Sequence, residues 1–66
     1  MREWQRIARI RIDKGWTQEK LALATGLSRG YISAIERGKA QPKLKTLSII
    51  AQSLGVEIEK LYEDLE

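Results

Sequence analysis

Apolar residues recur at the spacing of an α-helix in five short segments of this 66-residue chain, and glycines separate the segments. Gly15, Gly26, Gly38 and Gly55 fall between periodic segments, and glycine readily adopts the left-handed backbone with which many helices end. No stretch shows the sustained alternation of a strand. The pattern therefore predicts short helices connected by tight turns.

The predicted helices begin at recognisable residues. The first spans about residues 2–14, the second follows Thr17, the third follows Ser28, the fourth follows Pro42 and the fifth covers about residues 58–65. Thr17 and Ser28 are good N-caps because a hydroxyl oxygen can accept a hydrogen bond from the first turn. The apolar residues of all five segments must bury against one another, so we expect a compact all-α domain of five helices.

Length and composition restrict the function. With 66 residues the chain has room for one domain, over residues 1–66, and it contains no cysteine and no histidine. Disulfides, thiolate metal sites and the commonest catalytic base are therefore absent. The sequence Gly38-Lys39 has no upstream glycine that would complete a phosphate-binding loop. We therefore expect that the protein is not an enzyme and that it binds no metal or cofactor. Oligomerisation remains as a way to stabilise so small a core.

The N-terminus and the apolar segments indicate the cellular location. No apolar run approaches the ~20 residues of a membrane span, and the first residues lack the apolar stretch of a signal peptide. We therefore expect a cytoplasmic protein with no membrane partner.

Charge is distributed unevenly along the chain. Residues 1–45 carry eleven Lys and Arg against four Asp and Glu, whereas residues 46–66 carry one Lys and five acidic residues. A basic surface attracts polyanions such as nucleic acid. The alternative is a solvated surface of uneven charge. We interpret the basic part as a face for a polyanion, with the acidic tail turned away from it.

Residues 18–37 have the pattern of two helices joined by a tight turn. Ala22 is small where the helices would cross, and Gly26 can reverse the chain quickly. Ile32 and Ile35 would anchor the second helix on the core and leave its opposite face free. A helix held in this way can enter the major groove of DNA, which is about 12 Å wide.

Several motifs match a known family. They are Gly15-Trp16-Thr17-Gln18-Glu19, Gly26-Leu27-Ser28, Tyr31-Ile32-Ser33, Ile35-Glu36-Arg37-Gly38 and Leu54-Gly55-Val56. In this register the chain resembles the Cro/C1-type (XRE-like) helix-turn-helix family of phage repressors and bacterial regulators, from about Ile7 to Leu61. The resemblance implies a five-helix, lambda-repressor-like fold and a recognition helix over about residues 28–36. It also implies sequence-specific binding of double-stranded DNA by a small bacterial or phage-encoded repressor or controller protein.

The resemblance assigns roles to individual positions. Base-reading positions are Ser28, Arg29, Tyr31, Ser33 and Ala34, and phosphate-contacting positions are Thr17, Gln18, Arg37, Lys39 and Lys43. The best base reader is Arg29, because a guanidinium can bind O6 and N7 of guanine together. Gly30 departs from the family, which usually carries a side chain at this position. The alternative for each position is an ordinary solvated side chain.

The resemblance also assigns a role to Arg11 and Glu36. Arg11 and Glu36 occupy positions that form a partly buried ion pair in the family. We interpret both as structural; the alternative is that Arg11 touches DNA directly.

The family commonly binds palindromic operators as a homodimer. Apolar candidates for a dimer interface on the fourth and fifth helices are Ile49, Ile58, Tyr62 and Leu65, and Ile12 is a further apolar residue where the family is more often polar. The alternative function is an antitoxin or another protein-interaction module with the same fold and an unidentified protein partner.

Overall fold

Four α-helices and one 3-10 helix make up the computed structural model, which describes residues 5–62. In chain order these are α1 (Gln5–Asp13), α2 (Gln18–Thr25), α3 (Arg29–Glu36), α4 (Leu44–Leu54) and the 3-10 helix (Ile58–Leu61). No strand occurs within these residues. The all-α class predicted from the sequence is confirmed, whereas the number of α-helices is not.

The fifth predicted α-helix is wrong, because Ile58–Leu61 forms a single 3-10 turn. The N–H of Tyr62 closes this turn by donating to the carbonyl of Glu59 at 3.0 Å. Side chains three residues apart lie above one another in a 3-10 helix, so Ile58 and Leu61 both pack on the core. An apolar spacing of three fits either type of helix, and the sequence pattern alone does not separate them.

The core contains apolar residues from every described helix. They are Ile7, Leu21, Ala22, Ile32, Ile35, Leu47, Ile50, Ala51, Leu54 and Leu61. Burying one large aliphatic side chain contributes about 1.5–3 kcal/mol. Because Ile32 and Ile35 of α3 belong to this core, the opposite face of α3 is held outward.

A reversed turn after α1 brings the start of α2 against the core. Gly15 has φ +81°, and its N–H donates to the carbonyl of Ile12 at 2.8 Å. The N–H of Trp16 donates to the carbonyl of Arg11 at 3.0 Å. These two bonds form a Schellman motif, which requires the left-handed backbone that glycine adopts most easily. The turn places Thr17 at the N-terminus of α2, where its Oγ1 accepts a hydrogen bond from the N–H of Lys20.

Trp16 is half-buried and packs against the core, so it is less enclosed than a full core residue. The ammonium groups of Lys14 and Lys20 lie 5.6 and 5.4 Å from the centroid of its ring. Both distances are within the range of a cation–π interaction. Trp16 therefore joins the end of α1 to the first turn of α2.

Some predictions concern residues at the two ends. The predicted start of the first helix at residue 2 and the dimer candidate Leu65 lie outside the described residues. Within residues 5–62, no helix combines the length and the apolar character that crossing a membrane requires.

Candidate DNA-recognition site

The turn between α2 and α3 is fixed by hydrogen bonds to the last turn of α2. Gly26 has φ +78°, and its N–H donates to the carbonyl of Ala22 at 2.9 Å. Oγ1 of Thr25 donates to the carbonyl of Leu21 at 2.8 Å and accepts from the N–H of Leu27 at 3.2 Å. Sequence reasoning missed the role of Thr25, although a threonine directly before a helix-ending glycine is a usable signal.

Ser28 caps the N-terminus of α3. Its Oγ accepts a hydrogen bond from the N–H of Tyr31 at 3.0 Å, and its backbone is extended. This is the geometry of an N-cap, in which the hydroxyl still has its own hydrogen to donate. α3 proper then runs from Arg29, one residue after the predicted start of the recognition helix.

Residues of α2 and α3 together line one surface groove. Its lining residues are Gln18 from α2 and Arg29, Gly30 and Ser33 from α3. Arg29 and Gly30 are exposed, whereas Gln18 and Ser33 are half-buried. One predicted phosphate-contacting residue and two predicted base-reading residues therefore lie side by side.

Arg11 and Glu36 form a buried ion pair that is in contact with Gln18 of this groove. Nε of Arg11 donates to Oε2 of Glu36 at 2.8 Å, and Nη2 donates to Oε1 at 3.1 Å. Nη1 of Arg11 donates to the carbonyl of Trp16 at 2.7 Å. Arg11 and Glu36 are only 8% and 7% exposed. This two-point geometry satisfies the buried charges, as a desolvated pair requires.

Gln18 joins the same network. Its Nε2 donates to Oε1 of Glu36 at 3.0 Å. An amide nitrogen carries two hydrogens, and the amide oxygen accepts but does not donate. One hydrogen of Gln18 is thus used to hold the side chain in place, and the second can donate to an anion.

The predicted base-reading residues Tyr31 and Ala34 lie outside this groove. Tyr31 is half-buried and packs against the core. Ala34 is half-buried, and its carbonyl accepts hydrogen bonds from the N–H groups of Lys39 and Ala40 at 2.8 and 3.2 Å. Neither residue lines the groove that holds Arg29.

Three predicted phosphate contacts lie between α3 and α4. Arg37, Lys39 and Lys43 are all exposed. Arg37 follows the last residue of α3, and Lys43 precedes the first residue of α4. Thr17 is also exposed, and its hydroxyl caps α2. These exposed residues precede α2 or follow α3 in the sequence, and three of them carry positive charge.

The predicted dimer residues do not share one environment. Ile49 and Ile58 are half-buried, and Ile58 packs against the core. Tyr62 is exposed. Among the large apolar side chains of residues 5–62, Leu23 of α2 has the highest exposed fraction, 77%, and Ile12 and Leu44 are exposed as well. Neither Leu23 nor Leu44 was among the predicted dimer-interface residues.

Sequence comparison places the helices in a family. A helix-turn-helix family model matches residues 7–61. The HTH-type transcriptional regulator y4dJ of Sinorhizobium fredii is 47% identical over 49 residues, which are 74% of this chain and 64% of that protein. Control protein C.BamHI of Bacillus amyloliquefaciens is 40% identical over 60 residues, covering 89% and 74%. The chain spans less than two thirds of the length of several curated relatives, y4dJ among them.

Solved structures agree with this placement. The restriction-modification controller protein C.AhdI from Aeromonas hydrophila has a TM-score of 0.85 and 37% identity, with 86% of each chain covered. The tetramer of controller protein C.Esp1396I, solved with its natural 35-base-pair operator, has a TM-score of 0.80 and 42% identity, covering 91% of this chain and 79% of that one. The resemblance to Cro/C1-type regulators is confirmed, and the chain belongs to the XRE-type helix-turn-helix family of DNA-binding transcriptional regulators.

Proposed function

We propose that this chain binds double-stranded operator DNA as a transcriptional regulator, with α3 in the major groove. The observation that carries the proposal is the groove in which Gln18, Arg29 and Ser33 lie together. A phosphate-binding group beside base-binding groups is the arrangement that sets a recognition helix in register on a duplex. The solved complex of C.Esp1396I with its operator supports the same function.

The side chains of this surface would have different roles in DNA binding. Arg29 reads guanine through a two-point hydrogen bond, and Ser33 contacts a neighbouring base edge. Gln18 donates to a backbone phosphate from the N-terminus of α2, where the helix dipole also favours an anion. Arg37 and Lys39 are exposed, and they would hold phosphates on the other side of α3. Arg11 acts through Glu36 as a structural residue.

The protein would bind its operator as a homodimer. A two-fold dimer would place two copies of α3 about 34–36 Å apart, one turn of the double helix, on a palindromic operator. Tyr62, which is exposed, is the best-placed candidate for the interface. The tetrameric assembly of C.Esp1396I supports an oligomer. The chain would work as a single domain without enzymatic activity, in the cytoplasm where it meets chromosomal DNA.

Operator selection tests this function. The protein is incubated with a pool of duplexes of random sequence, the bound fraction is amplified, and the enriched site is mapped by footprinting. We expect a palindrome whose half-sites are centred about 10 base pairs apart, or at a multiple of this distance. Enrichment of no sequence, with retained nonspecific binding, would contradict sequence-specific recognition. Failure to bind any duplex would favour the protein-interaction function.

A further inference from the structure

Gly30 differs from the other glycines of the chain. Gly15, Gly26, Gly38 and Gly55 all have positive φ, whereas Gly30 has ordinary helical backbone within α3. A Cβ placed on Gly30 would meet no atom within 4 Å. The fold therefore has no steric or conformational need for glycine at this position, although glycine is among the poorest helix formers.

The location of Gly30 on the surface of α3 indicates why glycine occurs at this position. Gly30 is exposed, and it lines the groove of about 250 Å³ together with Gln18, Arg29 and Ser33. The polar ends of these three side chains can be directed to phosphates and base edges. At Gly30 itself the surface is backbone without a side chain. An incoming group can thus approach the axis of α3 more closely here than at its neighbours.

We propose that Gly30 is the point of closest approach between α3 and the operator, and that the space of its missing Cβ receives the methyl group of a thymine. This inference rests on the proposed function. Thymine's C5-methyl is the one apolar group that the bases present in the major groove. It has the size of a Cβ methyl, so an alanine at position 30 and a thymine methyl compete for the same space.

Gly30→Ala is expected to raise the stability of the fold and to lower the affinity for the operator. Gly30→Ala lowers the unfolded-to-folded ratio by roughly three- to fivefold, because alanine is the better helix former. The same variant binds the selected operator at least about tenfold more weakly, since a methylene-sized overlap must be relieved. Its affinity for a random duplex is unchanged, because nonspecific binding depends on phosphate charge.

A methyl-deletion series identifies the contact. Each thymine of the selected operator is replaced in turn by deoxyuridine, which lacks the methyl, and binding is measured for the unsubstituted protein and for Gly30→Ala. The unsubstituted protein loses affinity at one thymine of each half-site. Gly30→Ala loses nothing there or regains affinity, so the double-mutant cycle gives a coupling at that position alone. Ser48→Ala, an exposed change on α4, controls for helix stabilisation and leaves operator affinity unchanged.

Three results would overturn the inference. The first is equal operator affinity for Gly30→Ala and the unsubstituted protein, which would mean that nothing occupies the space. The second is a loss of affinity for Gly30→Ala with no coupling to any thymine, which would exclude the methyl contact while leaving DNA binding intact. The third is failure of the unsubstituted protein to bind any duplex, which would remove the proposed function together with the inference.

Discussion

Gln18 and Glu36 are joined by a hydrogen bond of 3.0 Å from Nε2 to Oε1, although they lie on different helices. The same carboxylate accepts two hydrogen bonds from Arg11. The buried ion pair that fastens α3 to α1 therefore also orients the side chain that we assign to a DNA phosphate. Stability of the domain and the geometry of its DNA contact are linked through Glu36.

Glu36→Gln tests the ion pair. The substitution keeps the shape of the side chain but leaves the Arg11 charge buried without its counter-ion, for which we expect a loss of about 3–5 kcal/mol in the free energy of unfolding. Urea denaturation followed by circular dichroism measures it. Glu57→Gln, at an exposed glutamate, is the matched control and should stay within about 0.5 kcal/mol. Equal effects of the two substitutions would contradict the account.

Gln18→Ala tests the phosphate contact. We expect the affinities for the operator and for a random duplex to fall by the same factor, roughly tenfold, because a hydrogen bond to a charged group is lost at every sequence. Fluorescence anisotropy with labelled duplexes measures both affinities. Gln52→Ala, at an exposed glutamine of α4, should change neither. A loss confined to the operator would assign Gln18 to base reading instead.

Arg29→Ala tests base reading. The variant should lose about 1–3 kcal/mol of preference for the operator over a random duplex, since the two-point contact to guanine is removed. Arg37→Ala is the comparison: it should weaken binding to both duplexes and reduce the slope of log affinity against log salt by about one. If Arg29→Ala behaved like Arg37→Ala, Arg29 would be a phosphate contact.

Gly26→Ala tests the turn. A Cβ at Gly26 meets nothing within 4 Å, so any loss of stability comes from the backbone conformation at φ +78°. We expect a cost of about 1–2 kcal/mol in the free energy of unfolding, measured with urea. A D-alanine at the same position, introduced by chemical synthesis, should avoid this cost because it favours positive φ. Equal destabilisation by both enantiomers would point to a steric cause.

Local rules explain what the sequence predicted well. Thr17 and Ser28 were expected to begin helices and do so, since each hydroxyl accepts a hydrogen bond from the first turn of its helix. Gly26 ends α2 with left-handed backbone for an equally local reason. Ile32 and Ile35 face the core because their spacing matches one side of a helix.

Features that depend on distant residues, or that fit two structures equally well, were harder to predict from the sequence. The spacing of Ile58 and Leu61 fits a 3-10 turn as well as an α-helix, so the predicted fifth α-helix was wrong. The hydrogen bond between Gln18 and Glu36 connects residues 18 positions apart, and no pattern along the chain indicates it. The high exposure of Leu23 was not predicted either, although Leu23 follows the buried Leu21 by two residues and therefore lies on the opposite side of α2.

A salt titration of binding to a random duplex of about 30 base pairs tests whether the helix-turn-helix surface contacts DNA phosphates. The three proposed cationic phosphate contacts per chain, Arg37, Lys39 and Lys43, predict a slope near −2.7 for log affinity against log salt, so that affinity falls roughly fortyfold between about 50 and 200 mM salt. Substituting Gln18 or Arg37 should weaken this binding. Absence of binding at the lowest salt, or a slope near zero, would contradict the account of α2 and α3 as a DNA-binding face.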